Sequence, residues 1–272
     1  TLQLRPISSS YICMRSIKTT CLSESCDVLE ETADEYAYSV AWVDCLAGGK
    51  RLGRGIVHLG NHAPQDARGS ADELVLHRPP QRTVPFSLPQ FVLNRWNVRA
   101  FNRLYYLRHG TRQAERLTHY DPFFYPLDSI GNWNRLYGPN GFLQYQFVVP
   151  LERGRPTMAK ILTRIASQGS ASFLAVLKVF GAGRGLLSFP IAGYTLALDF
   201  PMRPAVTIPF LQELDAEIAG SGGRVYLAKD AVMQRHHFES MYPEIEDFKG
   251  IKGRYDPENL FRSAQSERLG LS

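Results

Sequence analysis

The sequence has no apolar run long enough to cross a bilayer as a helix. Its clearest apolar run, FLAVLKVF (Phe173 to Phe180), is too short and too strand-like to do so. No signal peptide is recognisable. No GxGxxG or equivalent phosphate-cradling loop occurs: Gly181, Gly183 and Gly185 follow a strand-like run, but LLSFP comes next instead of a helix, so they read as a hairpin loop. Cysteine is scarce. Cys13, Cys21, Cys26 and Cys45 lack paired C-x-x-C spacing, which removes a zinc site and a redox pair while leaving a disulfide open. His236 and His237 are adjacent, their side chains are expected to diverge on a helix, and no third ligand is suitably spaced, so no metal is assigned. The net charge of +5 contains no block of five or six basic residues and reads as spread through the chain, which leaves nucleic acid without its electrostatic footprint. With 44% hydrophobic and 21% charged residues, the 272 residues read as a soluble globular chain, cytoplasmic or peripheral at a membrane, able to bury a substantial core.

What is present is a long stretch, Phe142 to Lys229, in which strand and helix periods alternate. FLQYQFVV (142–149) reads as a strand. Pro156 to Gln168 places Met158, Ile161, Leu162, Ile165 and Ala166 on one stripe, and Gly169 closes that helix. Strands over 173–180 and 194–200, a helix over 209–219 ended by Gly220, and a strand RVYLAK (224–229) follow. The order β-α-β-β-α-β predicts an α+β fold: an antiparallel sheet with helices on one face, containing a split βαβ, ferredoxin-like unit over 142–229.

Side chains alternate across a strand, so the face without helices must present something else. Leu143, Tyr145, Phe147 and Val149 form the apolar set of the first strand and leave Gln144, Gln146 and Val148 opposite. Phe173, Ala175, Leu177 and Val179 oppose Leu174, Val176, Lys178 and Phe180; Tyr194, Leu196, Leu198 and Phe200 oppose Gly193, Thr195, Ala197 and Asp199. The second face mixes amides, an ammonium, a hydroxyl, small residues and aromatics, which suits a small polar ligand in an apolar wall. A solvated face is the alternative for Gln144 and Gln146. Lys178 counts against it, because an unpaired ammonium inside an apolar run must reach water, a carboxylate or a ligand. An exposed strand end explains Lys229 almost as well as a ligand does.

In chain order, TLQLRPI and SYICMRSI are compatible with strands, SESCDVLEETADE with an acidic helix, and YAYSVAWVDCLA (36–47) with a strand that Gly48 and Gly49 turn back into RGIVHLG (54–60). Trp42 is expected to pack on the large sheet. Residues 61–89 read as a surface excursion, and 91–107 as a helix burying Phe91, Trp96, Phe101 and Leu104. The aromatic segment 120–147 reads as a folded loop, serving either recognition or as a hydrophobic lid.

GNWNRLYGPNGFLQYQFVVP, FLAVLKVFG, LSFPIAGYTLALDFP, GGRVYLAKD, FESMYP and YDPENLF together resemble the C-terminal, substrate-binding half of the decaprenylphosphoryl-β-D-ribose oxidase family, within the FAD-linked oxidases related to vanillyl-alcohol oxidase. The resemblance extends over nearly the whole chain. It implies that residues 1–272 are a substrate-binding domain, inactive alone, whose parent protein holds FAD mainly through an upstream domain. The chain itself is then expected to retain no FAD, and its start at Thr1 is read as a domain junction. The implied partners are that domain, a sugar or phosphosugar substrate, and an NAD(P)-dependent reductase.

By the same resemblance Lys229 orients the sugar hydroxyl and the flavin region, with Tyr226 beside it as a catalytic candidate. Lys178 binds the phosphate side, Gln144 and Gln146 fix the headgroup, and Leu174, Val176 and Phe180 form the wall. Three positions depart from the best-studied branch. Ala197 replaces a cysteine, Thr195 an asparagine and Phe124 a tyrosine, which leaves open a polyol, lactone or prenyl-phosphosugar substrate. A free-standing binding or structural protein derived from such an oxidase is the competing class.

Overall fold

The computed structural model describes residues 3–4, 6–64, 74, 82–110, 115–169 and 173–272. Its strands are β1 (Tyr11–Thr19), β2 (Tyr38–Val43), β3 (Gly55–His62), β4 (Arg82–Thr83), β5 (Arg116–His119), β6 (Ile130–Gly131), β7 (Phe142–Pro150), β8 (Ala175–Phe180), β9 (Gly193–Pro201) and β10 (Arg224–Val225). Its α-helices are α1 (Leu22–Glu31), α2 (Arg95–Arg108), α3 (Tyr120–Phe124), α4 (Leu151–Gln168), α5 (Pro204–Gly220), α6 (Arg235–Met241), α7 (Ile245–Tyr255) and α8 (Ala264–Leu269).

Eight strands form one sheet in the order β10-β7-β9-β8-β2-β3-β1-β5, and every pairing in it is antiparallel. The order contains one pattern twice. In β7-α4-β8-β9-α5-β10 the third strand lies between the first and second, and the fourth flanks the first. The strands β1, β2, β3 and β5 repeat that arrangement, and the two second strands, β2 and β8, join the halves through Ala41 opposite Leu177 and Trp42 opposite Val176. The expected split βαβ unit is therefore present over the second half, and the early strands extend its sheet.

The side-chain parity follows the expected division within the strands, except that Phe173, which precedes β8, lines the opposite face. Tyr145, Phe147, Val149, Ala175, Leu177, Tyr194, Leu196, Leu198 and Phe200 are buried in one core with Met158, Ile161, Leu162 and Ile165 of α4, Leu211, Leu214 and Ile218 of α5, and Leu22, Cys26 and Leu29 of α1. The contact between α4 and the sheet depends on Gly154, where a Cβ would stand 2.3 Å from the Tyr194 ring. Each buried aliphatic side chain of this layer contributes about 1.5–3 kcal/mol by leaving water.

Several boundaries differ from expectation. Gln3, Leu4, Pro6 and Ile7 adopt no regular structure, and Thr1, Leu2 and Arg5 lie outside the described residues. Part of the 61–89 excursion also lies outside them, although His62 still belongs to β3. Helix α4 begins at Leu151, five residues before Pro156, and α5 at Pro204, five before Pro209. A proline near a helix start removes one hydrogen bond without ending the helix, so each proline marked the helix but not its first residue. The last strand is shorter than expected. Tyr226 N–H still donates to Gln146 O at 2.8 Å, but Leu227–Lys229 then turns as a 3₁₀ segment, with Lys229 N–H bonded to Tyr226 O.

Helix α2 shows the largest difference. Its buried residues are Val98 and Asn102, whereas Phe91, Trp96, Phe101 and Leu104 are 76%, 73%, 49% and 61% exposed. The apolar stripe was assigned to the inside because burial is the usual reason for one. Here Asn102 turns inward to donate to Asp44 Oδ1 at 3.0 Å, and Tyr106 OH donates to Thr19 O at 3.1 Å, so polar bonds set the rotation of the helix. Tyr105 packs on Trp42 with ring centroids 4.6 Å apart. Trp42 has the parity opposite to Ala41 and Val43, so α2 crosses the face of the sheet that α1, α4 and α5 leave free.

Candidate functional site

Between that face of the sheet and the segments crossing it lies a cavity of about 1180 Å³. Its floor includes Gln144 and Gln146 of β7, Val176, Lys178 and Phe180 of β8, and Thr195, Ala197 and Asp199 of β9; Leu174 precedes β8 and Lys229 closes the turn after β10. All but Asp199 are positions that strand parity or family resemblance assigned to a site; parity placed Asp199 only on the same face. Phe124 also lines the cavity, but on the side of the first half, where its ring meets Tyr38 edge-on at 4.8 Å. Tyr226 is not part of the lining. Its ring stacks on Phe189 at 4.6 Å, and Phe189 in turn meets Phe180 edge-on at 5.8 Å, so Tyr226 stands behind the wall.

One end of the cavity brings together a carboxyl and two lysines. Asp199 is 2% exposed; Tyr137 OH donates to its Oδ2 at 3.0 Å, and Gln144 also hydrogen-bonds to it. Burial raises the Asp199 pKa against these hydrogen bonds and the attraction of Lys229. Burial lowers the Lys229 pKa, Asp199 opposes that shift, and Lys178 adds to it. Desolvation thus outweighs mutual attraction on both sides of the pair, and each group is driven toward its neutral form. Lys178 reaches the open cavity, yet the apolar strands around its stem lower its pKa as well. Neither lysine Nζ makes a hydrogen bond to protein among the described residues, which leaves both nitrogens available to a ligand at this end. Gln146 Nε2 donates to Thr195 Oγ1 at 3.1 Å, fixing one amide of the pair.

Aromatic stacking positions Tyr137. Its ring stacks on Phe142 at 4.3 Å and on Phe173 at 5.6 Å, and Trp133 leans on Phe142 at 5.3 Å. The segment 120–147 is accordingly built around short helical turns and supplies part of the cavity wall. Trp42 has two tasks: its indole lines the cavity, and its Nε1–H donates to Phe173 O at 3.0 Å. At the far end His58 bonds Ser16 Oγ at 2.9 Å, and burial, with His109 and Arg116 nearby, lowers its pKa to about 4.

Sequence reasoning did not single out Asp199 or Tyr137. Asp199 carried a usable signal, since an ionisable residue inside YTLALDF raises the same question as Lys178 inside FLAVLKVF. Tyr137 carried none, because its position depends on how a loop folds. Among the described residues no three His, Cys, Asp or Glu are grouped to hold a metal ion, and the four cysteines are free thiols. His236 and His237 do not diverge as expected: their rings lie 3.9 Å apart on α6. The Gly181–Gly185 loop is a hairpin turn, with Gly183 N–H bonded to Pro190 O. For a flavin, Lys229, whose Nζ has no protein hydrogen bond, fits a reacting ring edge, and the described residues form no cradle for its phosphates.

No family profile matches the chain. Over its whole length it is 35% identical to decaprenylphosphoryl-β-D-ribose oxidase of Mycolicibacterium smegmatis, of which it spans 59%. It is 33% identical to an uncharacterised protein of Streptomyces coelicolor, of which it spans 76%. In fold, 95% of the chain superposes on 55% of a xylooligosaccharide oxidase from Myceliophthora thermophila with a TM-score of 0.54 at 12% identity. A glucooligosaccharide oxidase from Acremonium strictum gives 0.52 over 96% of the chain and 56% of its own length, at 11% identity. With the large antiparallel sheet and its helix layer, the likenesses to these sugar oxidases show a shared fold. In sequence the chain is related to decaprenylphosphoryl-β-D-ribose oxidase, of whose length it spans 59%. No helix of the described residues is long and apolar enough to cross a membrane.

Proposed function

We propose that the chain is the substrate-binding domain of a flavin-dependent oxidoreductase that oxidises a hydroxyl of a sugar or prenyl-phosphosugar. The observation carrying this reading is the meeting of Lys229, Lys178 and buried Asp199 at one end of a large cavity with a mixed apolar and polar lining. The name of the Mycolicibacterium relative supports the sugar-hydroxyl chemistry. FAD is assigned to an upstream domain of the longer protein, with Lys229 reaching the flavin's edge; the 272 residues alone retain none. A NAD(P)-dependent reductase is the partner for the oxidised product.

A bound flavin supplies the two-electron acceptor for the hydride leaving the carbinol carbon. The chain's own residues bind and orient the substrate. Lys229 Nζ, whose pKa burial lowers, is suited as the neutral amine to accept the proton of the reacting hydroxyl while the hydride leaves its carbon, and the Asp199 carboxylate nearby opposes that lowering. Lys178 attracts the phosphate side. Gln144 and Gln146 fix the headgroup, Gln146 being held by Thr195. Leu174, Val176 and Phe180 exclude water, Tyr226 backs Phe180 through Phe189, and Ala197 leaves room above β9. Phe124 contributes apolar contact at the opposite wall.

The test is anaerobic rapid mixing of the complete flavoprotein with its substrate. Lys229→Ala should slow flavin reduction by about 100-fold or more with FAD still bound, since a positioned proton-transfer group is lost. Lys178→Ala should chiefly raise the half-saturating substrate concentration, because phosphate attraction already exists in the ground state. A Lys229→Ala enzyme reduced at the unaltered rate would remove the role given to this end of the cavity.

A further inference from the structure

The net charge of the chain is less evenly distributed than its overall composition suggests. Residues 82–110 contain Arg82, Arg95, Arg99, Arg103 and Arg108 and no Asp or Glu, so this one stretch carries +5. The remaining residues then hold 31 − 5 = 26 basic against 26 acidic side chains and are neutral. Helix α2 occupies the middle of the stretch. Trp96, Leu104 and Leu107 lie along one side of it at helical spacing and are 73%, 61% and 60% exposed, with exposed Arg99 and Arg103 interleaved. Leaving these apolar groups in water forfeits burial energy that a folded helix normally gains, so the surface calls for an occupant.

From this surface we propose that α2 is an interfacial docking helix that lies against an anionic lipid bilayer. The charge selects the occupant. A helix with aromatic and leucine side chains on its outer side, arginines along the same side and no acidic residue has the composition of an interfacial anchor, in which apolar groups enter the headgroup boundary while guanidinium groups meet lipid phosphates. The helix is firmly mounted for this role. Asn102 holds Asp44, Tyr106 holds Thr19, and Tyr105 rests on Trp42, so the outer side is presented by a fixed inner side. The inner side includes Val98 and Tyr105, which line the cavity, so docking would set the cavity roof at the lipid surface.

The experiment is vesicle flotation of the 272-residue chain, with Trp96 emission as a second reading. Trp96 is the highly exposed tryptophan, Trp42 being buried and Trp133 half-buried. Vesicles of phosphatidylcholine mixed with phosphatidylglycerol should float the chain and shift its emission to the blue, and vesicles of phosphatidylcholine alone should float it roughly tenfold less. Arg99→Gln with Arg103→Gln should weaken binding to the anionic vesicles by roughly tenfold or more, and Trp96→Ser with Leu104→Ser should abolish it. All four positions are exposed, so circular dichroism should report an unchanged fold. Equal flotation by both vesicle types, no flotation, or variants that float as well as the parent would overturn the proposal. So would Trp96 shielded from a soluble quencher in the complete flavoprotein without lipid, because a protein domain would then be the occupant.

Discussion

In the half of the sheet built from β7 to β10, the crossover from third to fourth strand is α5, which lies beside α4 and leaves the opposite face open. In the half built from β1, β2, β3 and β5, the corresponding crossover carries α2 over that opposite face. Equivalent strand orders therefore do not require equivalent helix placement. Residues 202–223 join β9 to β10, whereas 63–115 join β3 to β5, and the longer connection has its own anchors at Asp44, Thr19 and Trp42. The surface chemistry divides in parallel. The open face of the second half carries Gln144, Gln146, Lys178, Thr195 and Asp199, while the roofed first half presents Tyr38, Val40 and Trp42 together with His58, Arg116 and Thr118 to the cavity. One copy of the pattern holds Lys178, Lys229 and the buried Asp199, and the other carries α2 across the same cavity.

The most severe way to break this division is to release α2. Asp44 is 3% exposed, accepts from Asn102 and from Arg54 Nε and Nη2, and pairs with Arg54 at 2.7 Å. Asp44→Ala leaves a largely buried guanidinium uncompensated and should cost about 3–5 kcal/mol in denaturant unfolding. Trp42 emission should also shift to the red as its cover loosens.

A pH-dependent effect marks the second half. Asp215 of α5 is fully buried, accepts from Tyr145 OH at 2.6 Å, and has its pKa raised from 3.8 to about 7, chiefly by burial; the Tyr145 hydrogen bond and Arg268 lower it and Asp230 raises it. Between these values the unfolded chain has released the proton that the folded chain still holds. Its contribution to stability is therefore greatest below about pH 4, falls as pH rises toward about 7, and is level above that. Denaturation curves across this range should lose that slope, at most about 1.4 kcal/mol per pH unit, in Asp215→Asn. An unaltered slope would contradict the assignment. The smallest change is Tyr38→Phe, which removes the 3.0 Å bond to His62 Nε2 in the first half and should cost about 1 kcal/mol while leaving the polar end of the cavity intact.

Much of the second half was legible because alternation in β7, β8 and β9 is nearly unbroken, so Tyr145 and Gln144 could be assigned to opposite faces before their neighbours were known. Lys178 was legible as an ammonium in an apolar run. Lys229, Tyr226 and Phe124 depended on family resemblance, since the 3₁₀ turn at 227–229 and the loop around α3 have no strand parity to read. The rotation of α2 was not legible: its apolar stripe resembles a buried face, and the polar bonds to Asp44 and Thr19 that turn it outward join residues 58 and 87 positions apart. Asp199 was readable by the logic applied to Lys178, and Tyr137 was not.

The division between a reacting half and an enclosing half is tested most directly by one single-turnover series in the complete flavoprotein, following flavin reduction against substrate concentration for Lys229→Ala and Tyr105→Ala. The account predicts a limiting rate lowered about 100-fold for Lys229→Ala, and for Tyr105→Ala a limiting rate close to the parent's with a several-fold higher half-saturating concentration. A Lys229→Ala variant with the parent's limiting rate, or a Tyr105→Ala variant whose limiting rate falls as far as that predicted for Lys229→Ala, would contradict it.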